Sequence, residues 1–252
     1  MLIDTHAHLC DAAFDRDRDA LIRGLKSQGV EKVIEIACDP QGFAKAAELA
    51  DRHENLYLAF GIHPEYASEW AERDISIVEE YLKHPRCVAL GEIGLDYYWE
   101  PYDKNAEIKL FRRQLDMAKR LNIPVSMHIR EGYGDGVEIL ADYPGIRGVM
   151  HCFSGSPEIA ERCVKMGLYI AFGGALTFKN NKKAPAAAAV TPVDRLLLET
   201  DCPYMAPAPH RGKRCDPSMT AITCEKLAEI KGVSSEEMAR ITSENASRLF
   251  GM

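Results

Sequence analysis

Eight short apolar runs alternate with helix-patterned stretches from one end of the chain to the other. The runs are Leu2–Thr5, Val33–Cys38, Leu56–Ile62, Cys87–Gly91, Val125–Met127, Gly148–Met150, Leu168–Phe172 and Arg195–Leu198. Each is aliphatic or β-branched and apolar on both faces, the pattern of strands buried in a parallel sheet. Between them, Phe14, Leu21, Ile22 and Leu25 precede Gly29, a residue suited to ending a helix. Ile108, Phe111, Leu115, Ala118 and Leu121 recur at helical spacing and stop before Pro124. Ser156-Pro157 supplies an N-cap and a first-turn proline for a helix reaching Gly167. The least regular connection is Lys179–Val190, where Pro185 interrupts an alanine run, and a proline-rich loop from Pro203 to Pro217 precedes the last helical segments.

Eight strands, each followed by a crossover, is the count of an α/β fold of the (β/α)8 TIM barrel type, and 252 residues is an ordinary length for one. No Gly/Ser-rich linker or shift in composition divides the chain, so one barrel domain over residues 1–252 is expected. A doubly wound sheet would place a glycine-rich phosphate turn after its first strand. Here that turn reads Thr5-His6-Ala7-His8, and Gly132-Tyr133-Gly134-Asp135-Gly136 lacks the required spacing.

Composition narrows the function classes. The chain is 46% hydrophobic and 27% charged, which excludes disorder, and no apolar run approaches the roughly 20 residues of a membrane span. A net charge of −7 argues against coating nucleic acid through a global positive field, while leaving room for a nuclease with a local basic rim. The eight cysteines include no Cys-x-x-Cys pair and read as reduced, structural thiols. The N-terminus has neither the basic nor the long apolar region of a signal peptide, so a cytoplasmic location with no membrane attachment is expected. Nothing points to an obligate protein partner.

The polar residues fall at the strand ends. His6 and His8 end the first strand, His63 the third, Glu92 the fourth, His128 the fifth, His151 the sixth and Asp201 the eighth. Barrel enzymes assemble their sites at that end, and only His53, His84 and His210 among the eight histidines lie elsewhere. With the strand period of two, His6 and His8 point to one face. Two imidazoles on one dry face repel if protonated and are costly if neutral and unpaired, and a shared divalent cation removes both problems. Buried Glu92 and Asp201 need the same partner. Asp4 either orients the His6 imidazole or begins the core. The set exceeds what one tetrahedral ion with an open position needs, so two metals are expected, or at most three, with Glu92 as a bridge. No Gly-x-Ser-x-Gly turn competes, and Cys152, next to His151, points to the opposite face.

These residues sit in Ile3-Asp4-Thr5-His6-Ala7-His8, Gly61-Ile62-His63-Pro64, Gly91-Glu92-Ile93-Gly94-Leu95-Asp96-Tyr97-Tyr98, His151-Cys152-Phe153-Ser154-Gly155, Leu198-Glu199-Thr200-Asp201 and His210-Arg211-Gly212-Lys213-Arg214. In that order they resemble the TatD family of metal-dependent deoxyribonucleases, within the amidohydrolase-like superfamily of metal-dependent hydrolases. The resemblance implies metal binding by His6, His8, Glu92, His128, His151 and Asp201, and 3′→5′ exonuclease action on DNA with Mg²⁺ or Mn²⁺. Imidazole-rich chemistry also suits Zn²⁺ as the bound ion. Two departures stand out. Cys202 replaces the family's usual serine and leaves a thiol beside a ligand, open to oxidation, and Ile129-Arg130-Glu131-Gly132 replaces a more usual Ser-Arg-Asp-Ala.

The expected chemistry is attack of hydroxide on phosphorus at DNA 3′ ends, preferably single-stranded. Asp201 orients or deprotonates the water, Glu92 bridges the ions, and His63 contacts phosphate or protonates the leaving oxygen. Arg130 neutralises phosphoryl charge. Tyr98 and Trp99 either stack on a terminal base or pack over the barrel mouth. Lys179, Lys182 and Lys183, with His210, Arg211, Lys213 and Arg214, follow strands seven and eight, where barrels commonly hold phosphate. Arg112 and Arg113 read as surface charges. Other readings are a barrel hydrolase of a small ester or amide, removal of D-amino acids from tRNA (described for relatives within the family) and, last, a non-enzymatic metal-binding protein.

Overall fold

Every apolar run becomes a strand. The computed structural model describes residues 1–252 and contains β1 (Leu2–Ala7), β2 (Val30–Ala37), β3 (Leu56–Phe60), β4 (Cys87–Asp96), β5 (Val125–Arg130), β6 (Gly148–Met150), β7 (Tyr169–Phe172) and β8 (Leu196–Leu198). All neighbours pair in parallel, in sequence order. The ring closes between β8 and β1 through Thr5 Oγ1 donating to Leu198 O (3.0 Å) and a parallel bridge of Ala7 with Cys202. The helices are α1 (Arg18–Gly24), α2 (Phe43–Arg52), α3 (Glu72–Tyr81), α4 (Lys104–Leu121), α5 (Tyr133–Ala141), α6 (Pro157–Lys165), α7 (Lys183–Val190), α8 (Thr220–Lys231) and α9 (Ser235–Phe250). This is a (β/α)8 barrel. No helix is long and apolar enough to cross a membrane.

Local signals act where the sequence places them. Gly29 ends a 3-10 turn at φ +87°, Asn122 caps α4 at φ +53°, and Ser156 accepts from Ile159 N at the start of α6. The irregular stretch resolves into α7, because Pro185 is its third residue and sits in the first turn, where a backbone N–H has no helical acceptor.

Two apolar layers arise from strand alternation. Val33, Leu58, Phe60, Leu90, Met127, Ile170 and Leu198 face outward and pack with helix residues such as Phe111 and Leu115. Ile34, Ile36, Ala59, Ala89, Val149, Ala171 and Leu197 alternate with them and form an inner cluster. Ala246, Leu249 and Phe250 of α9 belong to that inner cluster and seal the end of the barrel opposite the site.

Two of the four register irregularities in the ring set the faces of the site residues. Asp4 pairs with Val33 and Ala7 with Glu35, three residues against two, and Leu90 pairs with Val125 and Ile93 with Met127, again three against two. Each extra residue switches the face of the residues after it. Ala7 and Ile93 therefore turn outward, while His6, His8 and Glu92 turn inward. Glu92 is a correction to the sequence expectation. It lies within β4 rather than at its end, because the strand runs on to Asp96. The continuation depends on Gly94, at φ +150°, where a Cβ would lie 1.8 Å from His128 O.

Gly94→Ala should therefore lower stability by about 1–3 kcal/mol. Gly134→Ala, where an added Cβ meets nothing within 4 Å, should not. Guanidinium unfolding midpoints of the two variants check this, and equal midpoints would show that β4 does not need the close approach.

Candidate metal centre

Buried polar side chains hold the strand ends in place. The Glu35 carboxylate accepts from Leu9 N (2.6 Å) and Cys10 N (3.0 Å), fixing the chain just past His8. Gln114 of α4 accepts from Ile62 N and donates to Ile62 O, both at 2.9 Å, setting the residue before His63. Glu107, also on α4, accepts from Asp96 N at 2.7 Å. Asp4 accepts from Thr200 N (2.9 Å), Thr200 Oγ1 (2.5 Å) and His6 N (3.2 Å). It does not orient the His6 imidazole. It ties β1 to the segment carrying Asp201, whose own N–H donates to His6 O at 2.9 Å.

Glu92 is the hub. Its Oε1 lies 2.8 Å from His128 Nδ1, 2.8 Å from His151 Nε2 and 3.8 Å from His63 Nε2. Its Oε2 lies 3.3 Å from His6 Nε2 and 3.8 Å from His8 Nε2. Asp201 Oδ1 is 3.5 Å from His8 Nε2, and the two Nε2 atoms of His6 and His8 are 3.3 Å apart. Burial pushes the Glu92 carboxyl up, but the imidazoles of His151, His6 and His128 hold it well below the ordinary value. Burial likewise pushes Asp201 up, and His8, His151 and His6 more than reverse it. Burial takes His63 down to about 3. It also lowers His6, whereas carboxylates facing His128 and His151, and Cys38 with Asp201 facing His8, raise those three against burial. Two anionic carboxylates thus converge with imidazole nitrogens on a volume where only cations or protons balance the charge.

A second ring of groups orients the imidazoles. Ser126 Oγ lies 3.4 Å from His6 Nδ1, Ile36 O 3.3 Å from His8 Nδ1 and Asp96 Oδ2 3.2 Å from His128 Nε2. Glu199, fully buried, accepts from Cys152 N at 2.6 Å and places Oε1 3.5 Å from His151 Nδ1. His151 Nδ1 and Glu199 Oε2 are buried without hydrogen-bond partners. That orphaned pair fits an imidazole whose Nε2 coordinates a cation while Nδ1–H faces a carboxylate, an arrangement that fixes the tautomer of metal ligands. Three His/carboxylate groups (His6, His8, Glu92; His63, Glu92, His128; His6, His151, Glu199) have ligand atoms close enough to share an ion. The donor set fits divalent metal.

Of the strand-end residues expected from sequence, His8, His63, Glu92, His128, His151 and Asp201 line one cavity of about 640 Å³, and His6 is fully buried against Glu92. Arg130 lines it too, its guanidinium 3.7 Å over the Tyr98 ring and 5.4 Å from the Trp99 ring. Trp99 lines the cavity and half-exposed Tyr98 stands behind it. None of His210, Arg211, Lys213 and Arg214 lines it, nor do Lys179, Lys182 and Lys183. Arg214 makes two 2.7 Å bonds to Asp17, and Arg211 sits 4.5 Å over the Phe178 ring. Cys202 is fully buried, and burial pushes its thiol well up, so it is not the reactive thiol expected. Cys38 lines the cavity, as does Cys10, and its thiol lies 3.5 Å from Glu92 Oε2, raised to about 12 by burial and by Glu92. Sequence reasoning missed Asp96, Glu199 and Cys38. Counting by twos from Glu92, Asp201 and Ile36 reaches all three.

The model of the TatD related DNase family matches residues 3–251. The chain is 42% identical to an uncharacterized metal-dependent hydrolase, YabD, of Bacillus subtilis, across 99% of both chains. It is 30% identical over the full length of both to a protein of Erwinia tasmaniensis named 3′-5′ ssDNA/RNA exonuclease TatD. The crystal structure of YjjV, a TatD homolog from Escherichia coli K12, superposes with a TM-score of 0.94 at 31% identity, covering 100% of this chain and 98% of that one. Barrel, site and comparisons define a metal-dependent hydrolase. The chain belongs to the TatD family.

Glu199→Gln and Asp96→Asn should each weaken divalent-metal binding about 10–100-fold, since each removes the carboxylate facing a ligand imidazole. Calorimetric titration of EDTA-stripped protein measures it. Affinities equal to wild type would show that neither carboxylate supports the centre.

Proposed function

We propose that the protein removes nucleotides from the 3′ ends of single-stranded DNA by metal-dependent phosphodiester hydrolysis. The observation that carries this reading is the cavity floor, where Glu92 and Asp201 stand among His6, His8, His128 and His151 beside the cationic Arg130. The relative named as a single-strand exonuclease supports both the polymer and the direction of attack. His6, His8, Asp201 and Glu92 would hold one divalent ion, and Glu92, His128 and His151 a second. Mg²⁺ or Mn²⁺ would serve activity, and Zn²⁺ suits the imidazoles. Such ions supply Lewis acidity toward a phosphoryl oxygen and bring deprotonation of water near neutral pH.

The chain's own groups do the rest. Asp201, ionised at neutral pH and lining the cavity, orients the attacking water and takes its proton. His63 accepts from Glu65 N at Nδ1 (3.2 Å), so its neutral ring carries the proton on Nε2, facing Glu92 and the cavity. A neutral imidazole is a poor proton donor but a good hydrogen-bond donor, so His63 holds a phosphoryl oxygen rather than protonating the leaving group. Arg130 offsets phosphoryl charge from the rim.

EDTA-stripped protein should leave 5′-labelled single-stranded DNA intact, and Mg²⁺ or Mn²⁺ should restore shortening from the 3′ end. Asp201→Asn should fall by about 10²–10⁴-fold. Failure of every ion to restore shortening sinks the exonuclease reading. Hydrolysis of a D-aminoacyl-tRNA or a small ester by the same stripped and reloaded protein would then replace it. A fully active Asp201→Asn would remove that residue from the chemistry.

A further inference from the structure

Five of the large apolar side chains left exposed stand on two loops at the mouth. Tyr98, Trp99 and Tyr102 follow β4, and Tyr204 and Met205 follow β8. In a closed ring of eight strands, β4 and β8 lie opposite one another, so the cavity runs between two walls. Trp99 lines one side, and Tyr204 with Met205 the other.

Both walls are fixed in place. The Tyr98 and Trp99 rings meet edge to face at 4.8 Å under the Arg130 guanidinium, and Tyr98 N donates to Asp96 Oδ1 at 3.0 Å. Tyr204 Oη donates to Asp11 Oδ2 at 3.2 Å, and its ring lies 6.2 Å from that of His8. Beneath Met205 the loop rests on Gly174, where a Cβ would lie 1.9 Å from Met205 O.

Charge on the rim decides how a strand is held. Asp11, Asp39, Glu65 and Asp96 line the cavity, against Arg130 and Lys45 as its only Lys or Arg. Lys45 already donates to Cys10 O at 2.7 Å. Phosphates gain little from such a surface, whereas bases stack on aromatic rings whatever their sequence. Bases paired and stacked within a duplex offer no free face to either wall.

Resting on the nuclease reading above, we propose that the mouth grips two unpaired bases. One lies on the Trp99 wall and one on the Tyr204 wall, with the phosphodiester that joins their nucleotides over Glu92 and Asp201. The two walls, rather than a basic groove, select a single-stranded end and place its last linkage over the centre.

The test uses metal-loaded protein and single-stranded octanucleotides that are intact, abasic at the terminal position or abasic at the penultimate one. Trp99→Ala and Tyr204→Ala should each raise KM on intact DNA about tenfold with kcat changed less than about twofold. Each substitution should lose that effect on one abasic substrate only, a different one for each wall. Equal losses on intact and abasic DNA would overturn the proposal.

Binding provides a second, hydrolysis-free reading. Trp70 and Trp99 are the two tryptophans of the chain. In a Trp70→Phe, Asp201→Asn protein the octanucleotide should quench Trp99 fluorescence, and the doubly abasic strand should not. No quenching overturns the proposal. Quenching by a strand that the active enzyme never shortens leaves the two-base site standing and fells the nuclease reading.

Discussion

The carboxylate of Glu92 is the charge around which the barrel's open end is arranged. It is buried and lies within 4 Å of nitrogens from His6, His8, His63, His128 and His151. A buried carboxylate without compensation costs several kcal/mol even after relaxation, by the usual order of magnitude. Protons on the surrounding imidazoles are one compensation, divalent ions another. Because the two compete, ion binding displaces protons, and the cluster gains from ions what it otherwise draws from protonated histidines.

That arrangement depends on two extra residues in the backbone. Without the irregularity between Leu90 and Ile93, Glu92 would share the outward face with Leu90 and meet the helix layer. The irregularity between Asp4 and Ala7 does the same for His6 and His8. His63, His128, His151, Glu199 and Asp201 need no such device, since each continues the inward alternation of its own strand or of the residues leading to it. The site is therefore built partly from ordinary strand periodicity and partly from two local breaks in it.

The same division separates the legible from the illegible in the chain. Eight apolar runs and their spacing identify the barrel, and polar residues at the ends of those runs identify the side chains that converge. Reading polarity as the end of a strand places the ends of β1, β4 and β5 too early. In a barrel whose interior opens into a polar cavity, a strand goes on where its inward residues turn from Ala89 to Glu92 and Asp96. Partners distant in sequence are not legible at all. Arg214 looks like part of a basic rim until Asp17 is found against it, and Tyr204 reads as a loop aromatic until the ring of strands sets it across from Trp99. The acidity is legible only as a sum, since nothing in a net charge of −7 says that carboxylates line the mouth itself.

Backbone strain shares this map. Five non-glycine residues have positive φ, and apart from Asn122 at a helix end they are Glu131, Cys152, Asp201 and Met205, at +56°, +42°, +60° and +53°. All four come shortly after β5, β6 or β8 at the open end. Each such conformation costs roughly 1–3 kcal/mol and persists only where its surroundings overdetermine it. Here the restraints can be named. Glu199 accepts the Cys152 N–H while facing His151, and His6 O accepts the Asp201 N–H while the His6 ring faces Glu92. The bonds that hold Cys152 and Asp201 are made by residues that surround the centre. Loosening the centre therefore loosens the backbone that aims it, so a change at Glu199, whose carboxylate holds Cys152 N and faces His151, acts on ion binding and on local order together.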